Sequence, residues 1–168
     1  MKRRLIAMRH AKSSWTTPGL ADILRPLNAR GQRSAEALGK WLRYKGYRPD
    51  HVLCSAATRT AQTFDALGLE LRPHLTTALY DASASELLDQ IRQTHGACVL
   101  LIGHNPGIAD FASDLAIRVP AHPRFEDFPT GATLVMEFSD QDWKRTKPKT
   151  GSVLDFVVPR ELAGAKAL

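Results

Sequence analysis

Leu5-Ile6-Ala7-Met8-Arg9-His10-Ala11-Lys12-Ser13-Ser14 is the stretch from which the fold is read. A short apolar run, Leu5 to Met8, stops abruptly at Arg-His. A run of four to eight apolar residues bounded by polar ones reads as a buried strand. Open α/β sheets collect ligand-binding groups at the carboxyl ends of their strands, so Arg9 and His10 are placed at such an end. An Arg-His pair after a strand is commonplace by itself. It gains weight because a second Arg and a second His also follow apolar strands.

The first strand is expected over Arg4 to Met8. Residues Ser13 to Leu24 show no period and contain Pro18-Gly19, so they read as a loop. Asn28 is an N-cap candidate, and the spacing of Ala35, Leu38, Trp41 and Leu42 predicts a helix over Arg30 to Lys45, stopped by Gly46. His51 to Cys54 is a second strand. Ser55 is an N-cap candidate for a helix from Ala57 to Leu67, closed by Gly68, and Leu69 to Leu75 reads as extended. Ser83 or Ser85 caps a helix through Thr94 that turns Leu87, Leu88 and Ile91 inward. Ala97 to Ile102 is wholly apolar, as in the middle of a parallel sheet. Gly103-His104-Asn105-Pro106-Gly107 is a turn, with Pro106 suited to the start of a helix reaching about Ile117. Three prolines, Pro120, Pro123 and Pro129, make Arg118 to Thr130 a loop. Two further strands, Ala132 to Phe138 and Val153 to Val158, follow, with a short helical turn after Pro159. The alternation predicts an α/β three-layer sandwich with a mostly parallel central sheet.

With 168 residues and 43% apolar content, the chain suits one core and a single domain spanning residues 1–168. Its longest apolar run, Ala97 to Ile102, is far short of a membrane span, so no membrane partner is expected. Lys2-Arg3-Arg4 resembles a signal-peptide n-region, but the apolar run behind it ends at Met8 and is too short for an h-region. A cytoplasmic protein is expected. Cys54 and Cys98 lie in strand-like stretches outside any Cys-x-x-Cys and read as buried free thiols. The net charge of +6 favours anionic partners. The basic residues are dispersed, and Lys144 to Lys149 reads as a solvated loop, so nucleic acid is not expected. His51, His74, His95 and His122 do not pair at helical metal-ligand spacing, and no metal is expected.

Three strand exits therefore carry the chemistry: Arg9-His10, Ser55 with Arg59 one turn into a helix, and His104-Asn105. Two guanidinium groups, two imidazoles and helix N-termini form a site for a dianion, because arginine offers forked donors that match phosphate oxygens. Two imidazoles also allow more than binding. One, if neutral, can attack phosphorus; nearby arginines oppose its protonation. The other can donate to oxygens that gain charge during phosphoryl transfer. A cysteine phosphatase needs five residues between Cys and Arg, whereas Cys54 and Arg59 enclose only Ser55 to Thr58. The P-loop pattern Gly-x-x-x-x-Gly-Lys-Ser/Thr does not occur.

Arg9-His10-Ala11-Lys12-Ser13, Leu53-Cys54-Ser55-Ala56-Ala57-Thr58-Arg59-Thr60-Ala61-Gln62-Thr63 and Gly103-His104-Asn105-Pro106 resemble the histidine phosphatase superfamily. Arg25-Pro26-Leu27-Asn28-Ala29-Arg30-Gly31 and Phe128-Pro129-Thr130-Gly131-Ala132 are similar to its small branch of phosphohistidine phosphatases. The resemblance implies a phosphoglycerate mutase-like fold, phosphorylation of His10, phosphoryl binding by Arg9, Arg59 and His104 with Asn105 beside them, and hydrolysis without a metal or other cofactor. The implied substrate is a phosphorylated protein such as a phosphorelay domain, or a small phosphate ester.

The chain departs from the superfamily pattern in two places. Ala11 stands where much of the superfamily has Gly, and the carboxylic general acid that many members carry after the third strand is matched only poorly by Asp81. The small branch is similar in lacking a clear acid. A phosphoramidate with a protonated leaving nitrogen needs less help than an ester, which favours protein phosphohistidine. A binding module without turnover is the alternative from another class; phosphatase activity discriminates the two. Asp22, Trp15, Lys12, Ser13 and Ser14 are further candidates for substrate contact, each also readable as ordinary surface or packing residues.

Overall fold

The structure, a computed structural model, describes residues 2–162. Its strands are β1 (Arg3–Arg9), β2 (His51–Ser55), β3 (His74–Thr76), β4 (Cys98–Gly103), β5 (Thr133–Phe138) and β6 (Ser152–Val157). Its α-helices are α1 (Ala29–Lys45), α2 (Thr58–Leu67), α3 (Ala84–Arg92) and α4 (Gly107–Leu115). The strands form one sheet in the order β3-β2-β4-β1-β5-β6. The first four are parallel to one another; β5 runs antiparallel to β1, and β6 antiparallel to β5.

Alternation of side chains along β1 and β4 explains the layering. Leu5, Ala7, Val99 and Leu101 pack with Leu87, Ile91, Phe111 and Leu115 of α3 and α4. Ile6, Met8, Leu100 and Ile102 pack with Leu38, Leu42, Phe64 and Leu67 of α1 and α2. Both faces of the central strands are therefore covered, and helix–sheet–helix is the three-layer α/β sandwich read from the sequence. Among the described residues no helix is long and apolar enough to cross a membrane.

Local signals fix several ends. The Asn28 side chain accepts from Gly31 N–H, and Gly46 closes α1 in the left-handed region, φ 72°. Ser83 and Glu86 form a reciprocal capping box at α3. The helix before Gly96 stops sooner than expected, at Arg92, and α4 stops at Leu115. Two expectations need correction. Ser55 is the last residue of β2 and does not cap α2; Ala57 occupies that position without a side-chain bond. The segment 69–75 is not a strand throughout, since only His74–Thr76 pairs, against β2. Leu69 and Leu71 instead tuck against the α1–α2 side of the core.

Candidate active site

β2, β4 and β1 are adjacent and parallel, so their carboxyl ends open on one edge of the sheet. His10 follows β1, His104 follows β4, and Arg59 lies in the first turn of α2 beyond β2. All three are buried, and the two imidazole rings lie 5.2 Å apart, centroid to centroid. The sequence-separated histidines thus meet in one pocket.

His10 is held from several directions. Its backbone N–H donates to Gly103 O (3.1 Å) and its carbonyl accepts from Gly131 N–H (2.9 Å). Its Nδ1 lies 2.7 Å from the Ala11 carbonyl. A carbonyl only accepts, so Nδ1 carries the proton and Nε2 keeps its lone pair. Ala11 is itself fixed, because its N–H donates to Thr63 Oγ1 at 3.0 Å. Burial pushes the His10 pKa down to about 3; the Ala11 carbonyl opposes this, while His104, Arg9 and Arg59 add to it. The ring is neutral at pH 7.

His104 Nε2 lies 2.8 Å from Ser55 Oγ, which also accepts from Ala57 N–H. Burial, with Arg59 next in weight, lowers its pKa to about 4. Its Nδ1 is buried and has no hydrogen-bond partner among the described residues, and the same holds for Arg9 Nε and Arg59 Nε. Buried polar groups are normally satisfied. Three such groups in one pocket, two of them guanidinium donors, suit a ligand rich in acceptor oxygens.

Arg9 donates to the Phe128 carbonyl at 3.1 Å. Asn105 was expected to touch substrate, but its amide nitrogen donates to Asp127 O (3.1 Å) and Phe128 O (2.9 Å). Both amide hydrogens are thereby engaged. Asn105 holds the 118–131 loop against Arg9 instead of presenting donors to an anion.

Arg59 donates to the Asp22 carbonyl (2.7 Å) and to Asp22 Oδ2 (3.0 Å). Asp22 also receives Arg25 Nε at 3.0 Å and the Tyr80 hydroxyl. The Tyr80 hydroxyl, followed by Arg25 and Arg59, holds the Asp22 carboxyl well below the usual carboxylate range. Asp22 is therefore a fixed carboxylate at the mouth of the pocket. Arg25 in turn donates to Ser13 Oγ at 2.8 Å and stacks on the exposed Trp15 ring at 3.4 Å. Trp15 is a rim residue and not part of the core.

The Asp22–Arg25–Tyr80 cluster is the part that sequence reasoning did not assemble. Asp22 and Tyr80 are 58 positions apart, and no period links them. Ser14 bonds to Thr16. Asp81 is exposed, in the left-handed region at φ 53°. Among the described residues no three of His, Cys, Asp and Glu come together to hold a metal ion. His51 and His95 do lie close, with ring centroids 4.2 Å apart.

The sequence pattern of the histidine phosphatase superfamily, branch 1, matches residues 5–86, which include His10 and Arg59. The chain is also 34% identical over 160 residues to the uncharacterized protein Rv1276c of Mycobacterium tuberculosis, covering 91% of this chain and 100% of that one. The chain belongs to the histidine phosphatase superfamily. Its fold superposes on a Nakamurella multipartita protein assigned as phosphohistidine phosphatase SixA, with TM-score 0.84 and 27% identity over 95% of this chain and 97% of that one. A similarly assigned SixA from Agrobacterium tumefaciens gives TM-score 0.75 and 28% identity, over 94% and 99%. This phosphatase therefore has the phosphoglycerate mutase-like architecture of the superfamily, and it is similar to proteins of the SixA type.

Proposed function

We propose that this phosphatase removes the phosphoryl group of protein phosphohistidine through a covalent intermediate on His10. The observation that carries the mechanism is the His10 tautomer. Its Nδ1–H is tied to Ala11 O, and Nε2 is left as an uncharged nucleophile beside Arg9, Arg59 and His104. Nε2 attacks phosphorus, the bond to the leaving nitrogen breaks, and its electron pair stays on that nitrogen. Arg9, Arg59 and His104 hold the phosphoryl oxygens as charge shifts onto them. Water then attacks the phosphorylated His10, the electron pair of the P–N bond returns to Nε2, and the water proton leaves with phosphate or to solvent.

The acid at the pocket mouth supports this substrate class. Asp22 is held ionised and has no proton to give to an alkoxide. A phosphohistidine ring protonated on its far nitrogen departs as neutral imidazole and needs no further proton, and a fixed carboxylate favours that protonated ring. The likeness to proteins assigned as phosphohistidine phosphatases supports the same class.

The test is brief mixing with a protein carrying labelled phosphohistidine, followed by mapping of the trapped label. Wild type is expected to hold an acid-labile label on His10, and His10→Ala to lose both label and turnover while keeping its circular dichroism. Arg59→Ala should lower kcat on the order of 10²–10³-fold, the usual cost of one well-placed donor. Retained turnover in His10→Ala overturns the mechanism. If a panel of small phosphate esters is cleaved far faster than the phosphohistidine protein, the substrate assignment is wrong.

A further inference from the structure

Beside Arg9 the surface folds into a cleft of about 350 Å³. Cations from four parts of the chain line it: Arg9 at the end of β1 with Lys12 just beyond, Arg30 in the first turn of α1, Arg124 in the 118–131 loop, and Arg160 after β6. Its single acid, Asp127, is already chelated by Arg124, with a shortest contact of 2.9 Å. Among the described residues Lys12, Arg30 and Arg160 make no ion pair. The cleft therefore carries a concentrated positive charge next to the reaction pocket, with Arg9 lining both.

The backbone keeps two of these cations in register. Lys12 O accepts from Asn28 N–H at 3.0 Å, and a Cβ on Gly31 would lie 2.0 Å from that same oxygen. The first turn of α1, and Arg30 on it, is thus seated directly against Lys12. Like charges held close repel and are retained where an anion is to be received.

We propose that this cleft docks an acidic segment of the substrate protein flanking its phosphohistidine. The proposal rests on the substrate class put forward above. Lys12, Arg30 and Arg160 are exposed on long, flexible stems. Such groups are screened by salt and each holds a single point charge weakly. They do not form a rigid cage for one extra phosphate. Several of them spread over a cleft suit an extended run of carboxylates, raising encounter rate and fixing orientation. No aromatic ring lines the cleft to stack a nucleobase.

Arg30→Glu/Arg160→Glu is the testing variant. Neither residue touches the reaction pocket, and a glutamate in the first turn of α1 agrees with the helix dipole. A control of equal charge change, Arg145→Glu/Lys147→Glu, lies in the basic loop after β5. The probe is a fluorescein-labelled hexaglutamate peptide at low salt, read by fluorescence anisotropy. The cleft variant is expected to bind it at least tenfold more weakly than wild type, and the control variant within about threefold. On a phosphohistidine protein with an acidic flank, the cleft variant should lose kcat/KM about tenfold with a shallower salt dependence. Turnover of p-nitrophenyl phosphate should stay within about twofold.

Equal peptide binding by wild type and cleft variant overturns the docking proposal, whatever the substrate proves to be. So does an equal loss in the control, which would make the attraction a property of net charge. Weakened binding of a small bisphosphate with unchanged hexaglutamate binding would give the cleft to a second phosphate and overturn the acidic segment. A wild type that binds the peptide but leaves protein phosphohistidine intact would sink the proposed function alone.

Discussion

Arg59 sets the charge state of its neighbours in two directions. Its guanidinium opposes protonation of His10 and His104, and helps hold Asp22 ionised. One fixed cation thus supports a neutral nucleophile and a charged carboxylate in the same small volume. Asp22→Asn keeps the shape and removes the charge, so it separates two roles for Asp22. If the carboxylate keeps the substrate's phosphohistidine ring protonated so that it departs as neutral imidazole, kcat on phosphohistidine protein should fall about tenfold, about 1.4 kcal/mol. Turnover of p-nitrophenyl phosphate, whose leaving group departs as an anion, should hold or rise. Equal losses on both substrates would mean that Asp22 only orients Arg59. The residues that meet at the pocket were legible because each follows an apolar strand, and parallel strands share a chemical edge. Asp22 was legible as a loop residue that could meet substrate or form a surface ion pair, but not as the centre of a cluster. Its partners Arg59 and Tyr80 lie in other elements, and only the fold brings them to it.

Helix α1 shows how an element some distance from the chemistry positions it. Its N-cap, Asn28, both accepts from Gly31 N–H and donates its own N–H to Lys12 O. Gly31 lets the helix approach that carbonyl, because any Cβ there would sit inside its contact distance. Gly31→Ala is therefore expected to cost about 1–3 kcal/mol, as overpacking against unyielding backbone does. It should also lower kcat, since Lys12 is two residues from His10. Asn28→Ala removes a cap, costing about 1 kcal/mol with kcat largely kept. Urea unfolding and steady-state kinetics on both variants read the difference; a Gly31→Ala protein as stable and active as wild type would refute the coupling. Helices such as α1 were readable because cap, periodicity and glycine stop agree within one short window. Ser55 misled for the opposite reason. Its sequence setting is that of a cap, but β2 extends through it and its hydroxyl is engaged by His104, 49 positions away. The stretch before β3 failed because apolar content alone does not distinguish a paired strand from a bent segment packed on a helix layer.

Across the whole molecule, the burial that keeps His10 and His104 neutral also makes the fold sensitive to acid. In an unfolded chain a histidine titrates near 6.5. In the folded protein the two fall to about 3 and about 4. Between pH 6.5 and about 4 the unfolded chain binds protons at these positions and the native protein does not. Native stability from these groups is thus complete above pH 6.5 and is lost as the pH falls toward the folded values. Each proton contributes a slope of up to about 1.4 kcal/mol per pH unit. Asp22 acts in the same direction, but only below the ordinary carboxylate range, so the window from pH 6.5 to 4.5 belongs to the histidines, His51 included, whose pKa burial also lowers. The urea midpoint of wild type should drop steeply across that window. His10→Gln/His104→Gln, which keeps polar groups of similar reach but cannot titrate, should show a much flatter profile and cross wild type toward acid pH. Parallel profiles for the two proteins would mean that the imidazoles protonate as freely in the fold as outside it. An uncharged nucleophile at His10 would then be untenable, because its neutrality and the acid sensitivity arise from the same burial.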